Sequence, residues 1–226
     1  MKTFKTLLIT AGLVLPFPET NFAQLSANVI FTNNELVWYG LDFTGAKFIG
    51  KFNEGFDSRP TSANELISSY IPAWNRLVLE EPRNFNLKST FRKTSIYYDI
   101  QPIESLNSKI KPEGILTYNS HMLHKDQLAA MVSAYPEGSR KEGLGLVFIV
   151  ESFDKSYRKG NYWVVFFDIK THKILFSDYC SSSPAGFGLR NYWAGSLKHV
   201  LGEIRFFRYD MWKKNILRDN KLMVIN

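Results

Sequence analysis

Hydrophobic and polar residues follow a strand-like pattern in the first third of the chain. Residues 35–50 (ELVWYGLDFTGAKFIG) are rich in aromatic and branched side chains and end at a glycine. Such a run is typical of a β-strand. The two glycines inside it predict a bend at Gly40 or Gly45.

The period then changes to that of a helix. Between residues 61 and 81, apolar side chains recur every three or four positions, which places them on one face of a helix. Ser62, followed three residues later by Glu65, predicts a capping box at its start. Pro72 lies inside the pattern and predicts a kink or a break.

The same criteria predict further elements. Residues 94–100 form a short strand candidate, and residues 125–135 carry an apolar face at helical spacing. Residues 187–201 predict another helix, which we expect to stop at Gly202.

The strongest strand signal is a run of three segments, residues 145–153, 162–169 and 173–179, joined by short polar turns. Short links of this kind favour an antiparallel meander. We therefore predict an α+β fold: a mixed, largely antiparallel sheet of about five strands, with the helices mostly on one face. The chain shows neither a repeat nor a low-complexity linker, so one domain over residues 24–226 is expected.

The beginning of the chain predicts export. Lys2 and Lys5 precede an apolar run of about ten residues, and Ala23 offers a small residue for cleavage. These are the parts of a secretory signal peptide over residues 1–23. The run is shorter than the ~20 apolar residues of a membrane span. We expect a periplasmic or secreted protein with no transmembrane segment after cleavage.

The amino-acid composition limits which disulfides, metal sites and partners the chain can have. The chain of 226 residues has one cysteine, so it has neither an internal disulfide nor a zinc site built from cysteines. Its formal net charge of +7 favours encounters with anionic partners. The basic residues are scattered along the chain, which favours the simpler interpretation of a mildly basic exported protein without such a partner.

Three segments also carry a resemblance: VWYGLDFTGAKFIG, WVVFFDIKTHKIL and GFGLRNYWAGSLKHVL. They resemble stretches of an uncharacterised family of exported proteins from Gram-negative bacteria. The resemblance covers nearly the whole chain after the signal peptide and implies no activity. The order of elements is also similar to small α+β domains of periplasmic assembly and lipoprotein-type factors, an analogy that does not fix function.

Two candidate catalytic arrangements stand out. Cys180 follows a strand and precedes a flexible loop, where a thiolate of lowered pKa can act as a nucleophile. Glu151, Asp154 and Asp168 lie on or beside neighbouring strands, and a carboxylate pair can serve as acid and base in glycoside hydrolysis. Their simpler interpretations are a semi-buried cysteine and turn-forming carboxylates.

His121 and His124, with Asp126 nearby, are the candidate metal ligands. A spacing of three places two imidazoles on one side of a helical turn. Neither a fixed third ligand nor a catalytic acid accompanies them, so an ordinary helix start is the competing interpretation. We expect no cofactor.

Binding candidates are more numerous. The loop over residues 181–188 leads into a helix, and its Gly186 and Gly188 with the following Arg190 can hold a phosphate, sulfate or carboxylate. Trp38 and Trp212 are the tryptophans that we expect to be exposed as platforms for a glycan. The stretch from residue 203 interleaves basic and aromatic residues, which is typical of an anionic membrane surface, of nucleic acid, or of a helix that covers the core. We expect no nucleic-acid partner, because no nucleic-acid fold motif accompanies the stretch.

Two hypotheses follow. The first is a non-catalytic envelope protein that binds a protein partner or an anionic or glycan ligand. The second is a hydrolase of cell wall or polymer that uses Cys180 or a carboxylate pair. A cleft that joins the thiol to a histidine, or two carboxylates across a groove, would favour the hydrolase. Scattered residues and a concavity lined by aromatic side chains would favour binding.

Overall fold

The computed structural model describes residues 26–52 and 61–224. The predicted signal peptide, residues 1–23, lies outside the described residues. None of the helices in the described part combines the length and the apolar character that a membrane crossing requires.

Seven strands form one sheet around a long central strand. The strands are β1 (Glu35–Asp42), β2 (Lys47–Ile49), β3 (Ser95–Tyr98), β4 (Leu116–Thr117), β5 (Leu144–Asp154), β6 (Lys159–Asp168) and β7 (Ile174–Ser182). One side of β5 pairs in parallel with β1 and then with β2. Beyond these, β3 is parallel to β1 and β4 is parallel to β2. The other side of β5 pairs antiparallel with β6, and β6 pairs antiparallel with β7.

The prediction of a largely antiparallel α+β sheet is therefore wrong. Five of the seven strands, β1 to β5, run parallel, and the fold is α/β. The predicted meander of β5, β6 and β7 is present, but it forms only one part of the sheet. Parallel neighbours need a crossover connection, and the helices between β2 and β5 provide it.

The described residues contain eight α-helices and two π-helical turns. The helices are α1 (Val29–Thr32), α2 (Ala63–Glu65), α3 (Ile71–Glu80), α4 (Leu87–Thr90), α5 (Gln101–Asn107), α6 (Lys125–Ser133), α7 (Leu189–Glu203) and α8 (Tyr209–Val224). The π turns are Leu66–Tyr70 and Ile204–Arg208. Each π turn lies directly between two helices, so residues 63–80 and 189–224 are continuous helical segments.

Helices cover both faces of the sheet, and most of them lie on the face of the larger core. Side chains of β5 alternate between the faces: Phe148 belongs to the larger core with α3, α7 and α8, and Ile149 belongs to the smaller core with α5 and α6. A strand that is buried on both faces is typical of a parallel sheet enclosed by helices.

The long first strand bends where predicted and then breaks. Gly40 has a φ of +104°, and the pairing register of β1 with β5 shifts between Trp38 and Gly40. Asn75 of α3 accepts a hydrogen bond from the Leu41 amide at 2.8 Å. Asn107 of α5 accepts from the Phe43 amide and donates to the Leu41 carbonyl. These buried side chains satisfy the backbone groups that the interruption between β1 and β2 removes from the ladder.

Two helix predictions had different outcomes. The Ser62 hydroxyl accepts from the Glu65 amide at 3.1 Å, which confirms the Ser62 half of the predicted capping box. The π turn ends two residues before Pro72. The predicted stop at Gly202 is wrong, because Gly202 lies inside α7. The buried residues Ile204, Tyr209 and Trp212 continue the apolar face and hold the helical segment against the core.

Candidate functional site

The carboxyl ends of three parallel strands meet at one edge of the sheet. Ile49 of β2 pairs with Thr117 of β4 on one side and with Asp154 of β5 on the other. The residues that follow, Gly50, Tyr118 and Lys155, therefore leave the sheet side by side. In open α/β sheets, ligands bind in the crevice outside the carboxyl ends of the strands.

A cavity of about 900 Å³ lies at this edge, and we call it the strand-end cavity. Its volume is within the range of small-molecule sites and about twice that of two further cavities, of about 430 and 350 Å³. It is lined by Gly50, Lys51, Tyr118, Lys155, Ser156, Arg158, Gly186, Phe187, Gly188, Leu189 and Tyr192.

Among the described residues that line the cavity, three are cationic and none is acidic. The Lys155 ammonium donates to the Lys51 carbonyl oxygen at 3.0 Å and lies 4.9 Å from the ring centre of Phe52. The Arg158 Nε donates to the Tyr192 hydroxyl at 3.4 Å. These contacts hold Lys155 and Arg158 at the wall of the cavity, and Lys51 adds a third cationic residue to the lining.

The glycine loop contributes another part of the lining. Gly186 and Gly188 both have positive φ, of 128° and 77°. A side chain at Gly186 would lie 2.8 Å from the Asn191 carbonyl oxygen, so the close turn requires glycine. Gly188 directly precedes α7, and the positive end of that helix dipole therefore lies beside the cavity.

Aromatic rings form a further part of the lining. Phe187 is 92% exposed and Tyr118 is 66% exposed, both unusual for rings of this size. Tyr192 is partly buried and packs edge-on against Trp193 at 5.3 Å. The cavity thus combines cations with ring faces that can stack against an apolar or sugar-ring surface.

Arg190, by contrast, does not line this cavity. Its guanidinium donates to Glu81 at 2.9 Å and to Asn191 at 3.1 Å, and it lies 3.9 Å from Glu80. The predicted set of Gly186, Gly188 and Arg190 is therefore divided: the glycines lie at the cavity, and the arginine joins α7 to the end of α3.

The two predicted tryptophan platforms are wrong, because both rings are buried. Trp38 is fully buried in the larger core and packs against Phe148 at 5.3 Å. Trp212 is 2% exposed, and its indole Nε1 donates to Asp178 at 2.8 Å. Both rings pack in the larger core and present no face to a glycan.

Cys180 is also fully buried. Burial raises the pKa of its thiol to about 12, against the cationic influence of Arg208. A nucleophilic cysteine needs a lowered pKa and access to substrate. The surroundings of Cys180 provide neither, so its prediction as a nucleophile is wrong.

The candidate carboxylates do not meet. Asp168 pairs with the first residue of β5 and Asp154 is the last, so the length of that strand, about 30 Å, separates them. Asp168 accepts from the Lys170 amide in the turn between β6 and β7, and Asp154 accepts from the Tyr157 amide in the turn between β5 and β6. Both carboxylates therefore have the turn-forming role of the simpler interpretation.

Glu151 has a different structural role. Its carboxylate is buried and accepts hydrogen bonds from the Leu123 amide at 2.8 Å, the Trp163 indole at 3.3 Å and the Tyr179 hydroxyl at 3.0 Å. These bonds fasten the segment before α6 to the sheet. The carboxylate is occupied by protein donors rather than turned to a cleft.

The candidate metal ligands lie in different local structures. His121 belongs to an extended segment and its Nε2 is 2.8 Å from the Gly45 carbonyl oxygen, whereas His124 is the residue before α6. The helical turn that the prediction required is absent there. In the described ranges, no group of three histidine, cysteine or acidic side chains is placed to hold a metal ion.

Comparison with protein-family models, with curated proteins and with solved structures gives no significant match. The resemblance to a family of exported proteins stays a prediction.

Sequence reasoning identified the glycines of the cavity but missed its cations and most of its rings. Lys51, Tyr118 and Lys155 each follow a strand end, yet the three strands are far apart in the sequence. The parallel pairing that unites them is not visible in the hydrophobic pattern.

Proposed function

We propose that this protein is a non-catalytic binding protein whose strand-end cavity accepts an organic anion with a ring or another apolar part. The observation that carries the proposal is the lining: Lys51, Lys155 and Arg158 beside Tyr118, Phe187 and Tyr192, without an acidic residue among the described lining residues. An acidic glycan and an aromatic phosphate or carboxylate share this chemistry.

The alternative of a hydrolase has no comparable support. The thiol of Cys180 is buried, and the candidate carboxylates lie in separate turns or bind protein donors. A concavity lined by aromatic side chains is the outcome that favours binding. Export to the periplasm or beyond remains a prediction from the sequence.

Thermal unfolding with paired probes tests the proposal. Phenyl phosphate is compared with neutral phenol, and trigalacturonate with neutral maltotriose. A ligand at a hundred times its Kd adds about 2.7 kcal/mol to the free energy of unfolding, which raises the Tm by roughly 5–10 °C. We expect the charged member of at least one pair to raise the Tm and its neutral partner to leave it unchanged.

Variants then locate the site. The double substitution Lys51→Gln and Arg158→Gln should weaken binding by about 10- to 100-fold, since one charge-assisted hydrogen bond contributes about 1.5–3 kcal/mol. The matched control is Lys125→Gln, an exposed lysine on α6 on the other face of the sheet. Equal affinities of the double variant and the control would contradict this site.

A further inference from the structure

The second π turn exposes two consecutive phenylalanines. In Ile204–Arg208 the first residue is buried, as is Tyr209 directly after the turn. Phe206 and Phe207 lie between these anchors and are 66% and 74% exposed. The Tyr209 amide bonds back to the Ile204 carbonyl over five residues, and the wider turn places both rings on the outside.

The first π turn provides an internal comparison. In Leu66–Tyr70 the first residue is again buried, Ile71 after it is buried, and the third and fourth positions are exposed. Those two positions are Ser68 and Ser69, where the second turn has Phe206 and Phe207. The geometry of the turn therefore does not require apolar residues there, and the exposed rings need another reason.

Cations surround the two rings. The Arg205 guanidinium lies 5.2 Å from the ring centre of Phe206. Lys213 and Lys214 are exposed on the next turns of α8, where Met211 adds an exposed apolar side chain four residues after Phe207. We call Arg205, Phe206, Phe207, Met211, Lys213 and Lys214 the helix patch.

Arginines pair with the acidic residues around the helix patch, although Arg208 serves two carboxylates, so one negative charge is left against the three cations of the patch. Arg92 binds Asp210 through two hydrogen bonds of 2.6 Å, and Arg208 binds both Asp178 and Glu203 at 2.8 and 3.2 Å. Within the described part of the chain, Arg205, Lys213 and Lys214 form no salt bridge. The patch therefore presents net positive charge around apolar side chains.

We propose that the helix patch docks on an anionic lipid bilayer surface. Stable attachment of a peripheral protein takes two signals, an apolar insertion and a cluster of cations, and the patch supplies both. The inner face of the helical segment is fixed by the buried Ile204, Tyr209 and Trp212, so the outer face that carries the patch is turned to solvent. Exposed apolar side chains that can insert among acyl chains, flanked by cations that can bind headgroups, fit a lipid interface better than a nucleic-acid backbone.

Co-sedimentation of the full chain with vesicles tests the proposal. Vesicles of phosphatidylcholine alone are compared with vesicles containing about one-third phosphatidylglycerol, at about 0.1 M and 0.5 M salt. We expect binding to the anionic vesicles at low salt, little binding to the neutral vesicles, and loss of most binding at high salt.

Matched variants separate the two signals. Phe206→Ser with Phe207→Ser copies the serines of the first π turn and should lower the binding constant more than tenfold. Lys213→Gln with Lys214→Gln should lower it by about fivefold for each charge. Met122→Ser and Lys125→Gln remove an exposed apolar side chain and an exposed charge elsewhere and should not change vesicle binding. Unfolding midpoints within ~2 °C of the parent establish that the variants fold, as expected for exposed sites.

Three results would overturn the proposal. One is equal binding to neutral and anionic vesicles, or no binding to either. Another is vesicle binding that survives both double substitutions. The third is that the protein does not bind vesicles but binds another partner through Phe206 and Phe207. That partner would be a single-stranded oligonucleotide, or a second copy of the chain detected by sedimentation equilibrium.

Discussion

At the scale of single residues, burial decides what a side chain can do. Cys180 has the position of a nucleophile in the sequence, after a strand and before a glycine loop, but it is fully buried and the pKa of its thiol is raised to about 12. Against the ordinary value of 9.0, this lowers the thiolate fraction at pH 8 about a thousandfold. A thiol reagent such as DTNB should therefore react about a thousandfold more slowly with the folded protein than with the protein unfolded in urea. Comparable rates would contradict the burial of Cys180.

Gly40 gives a second prediction at this scale. Its φ is +104°, and a side chain there would overlap the amide oxygen of Asn75 that accepts from Leu41. Gly40→Ala should lower the free energy of unfolding by about 2–4 kcal/mol, through backbone strain and loss of that bond. Urea unfolding measures the change. Gly188→Ala is the control, since Gly188 also has positive φ but has no atom within 4 Å of the added carbon, and strain alone should cost about 1 kcal/mol.

At the scale of elements, the sequence pattern locates helices and strands but not every boundary. The predicted helix over 125–135 is Lys125–Ser133 in the structure, and the meander strands lie where the pattern places them. The predicted strand direction is wrong, because a run of hydrophobic residues indicates that a strand is buried but not whether the adjacent strand is parallel or antiparallel. The short strand Leu116–Thr117 and the two π turns carry no pattern of their own and depend on tertiary packing.

Two glycines of α7 test the continuity of the last helical segment. Gly202 lies inside the helix, and a methyl group added there would have no atom within 4 Å, so Gly202→Ala should stabilise the protein by about 0.5–1 kcal/mol. In Gly195→Ala the new methyl group would overlap the Ala185 backbone, and the same exchange should destabilise the fold. Differential scanning calorimetry compares the two variants. A lower Tm for Gly202→Ala would indicate that the helix ends near that residue.

At the scale of the whole molecule, buried acids make stability depend on alkaline pH. Burial raises the pKa of Cys180 and of Tyr39 to about 12, so both keep their protons in the folded state after the unfolded chain has lost them. A group whose pKa is higher in the folded protein than in the unfolded chain stabilises the fold at lower pH, and this stabilisation is lost as the pH rises. Lys93 has the opposite effect on stability, because burial lowers its pKa from 10.5 to about 8. Its contribution to the free energy of unfolding rises with pH between these two values and no longer changes above pH 10.5. The Tm should therefore fall between pH 10.5 and 12, and Cys180→Ala should reduce the slope.

Most residues of the strand-end cavity are distant in the sequence and are brought together only by the fold. Gly186 and Gly188 were predicted from a loop before a helix, which is a local signal. The cations Lys51 and Lys155 follow strands β2 and β5, which are about a hundred residues apart and become neighbours only through the parallel sheet. Trp38 and Trp212 were misjudged for a related reason, since exposure of a ring depends on elements that pack on it from elsewhere in the chain.

The central claim is that the strand-end cavity binds an organic anion, and hydrogen–deuterium exchange tests its location most directly. Amide exchange would be measured with and without saturating amounts of the panel anion that gives the largest rise in Tm. We expect slower exchange in residues 50–51, 155–158 and 186–189, around the cavity, with little change in α6. Protection confined to another surface, or no protection by an anion that raises the Tm, would contradict the claim.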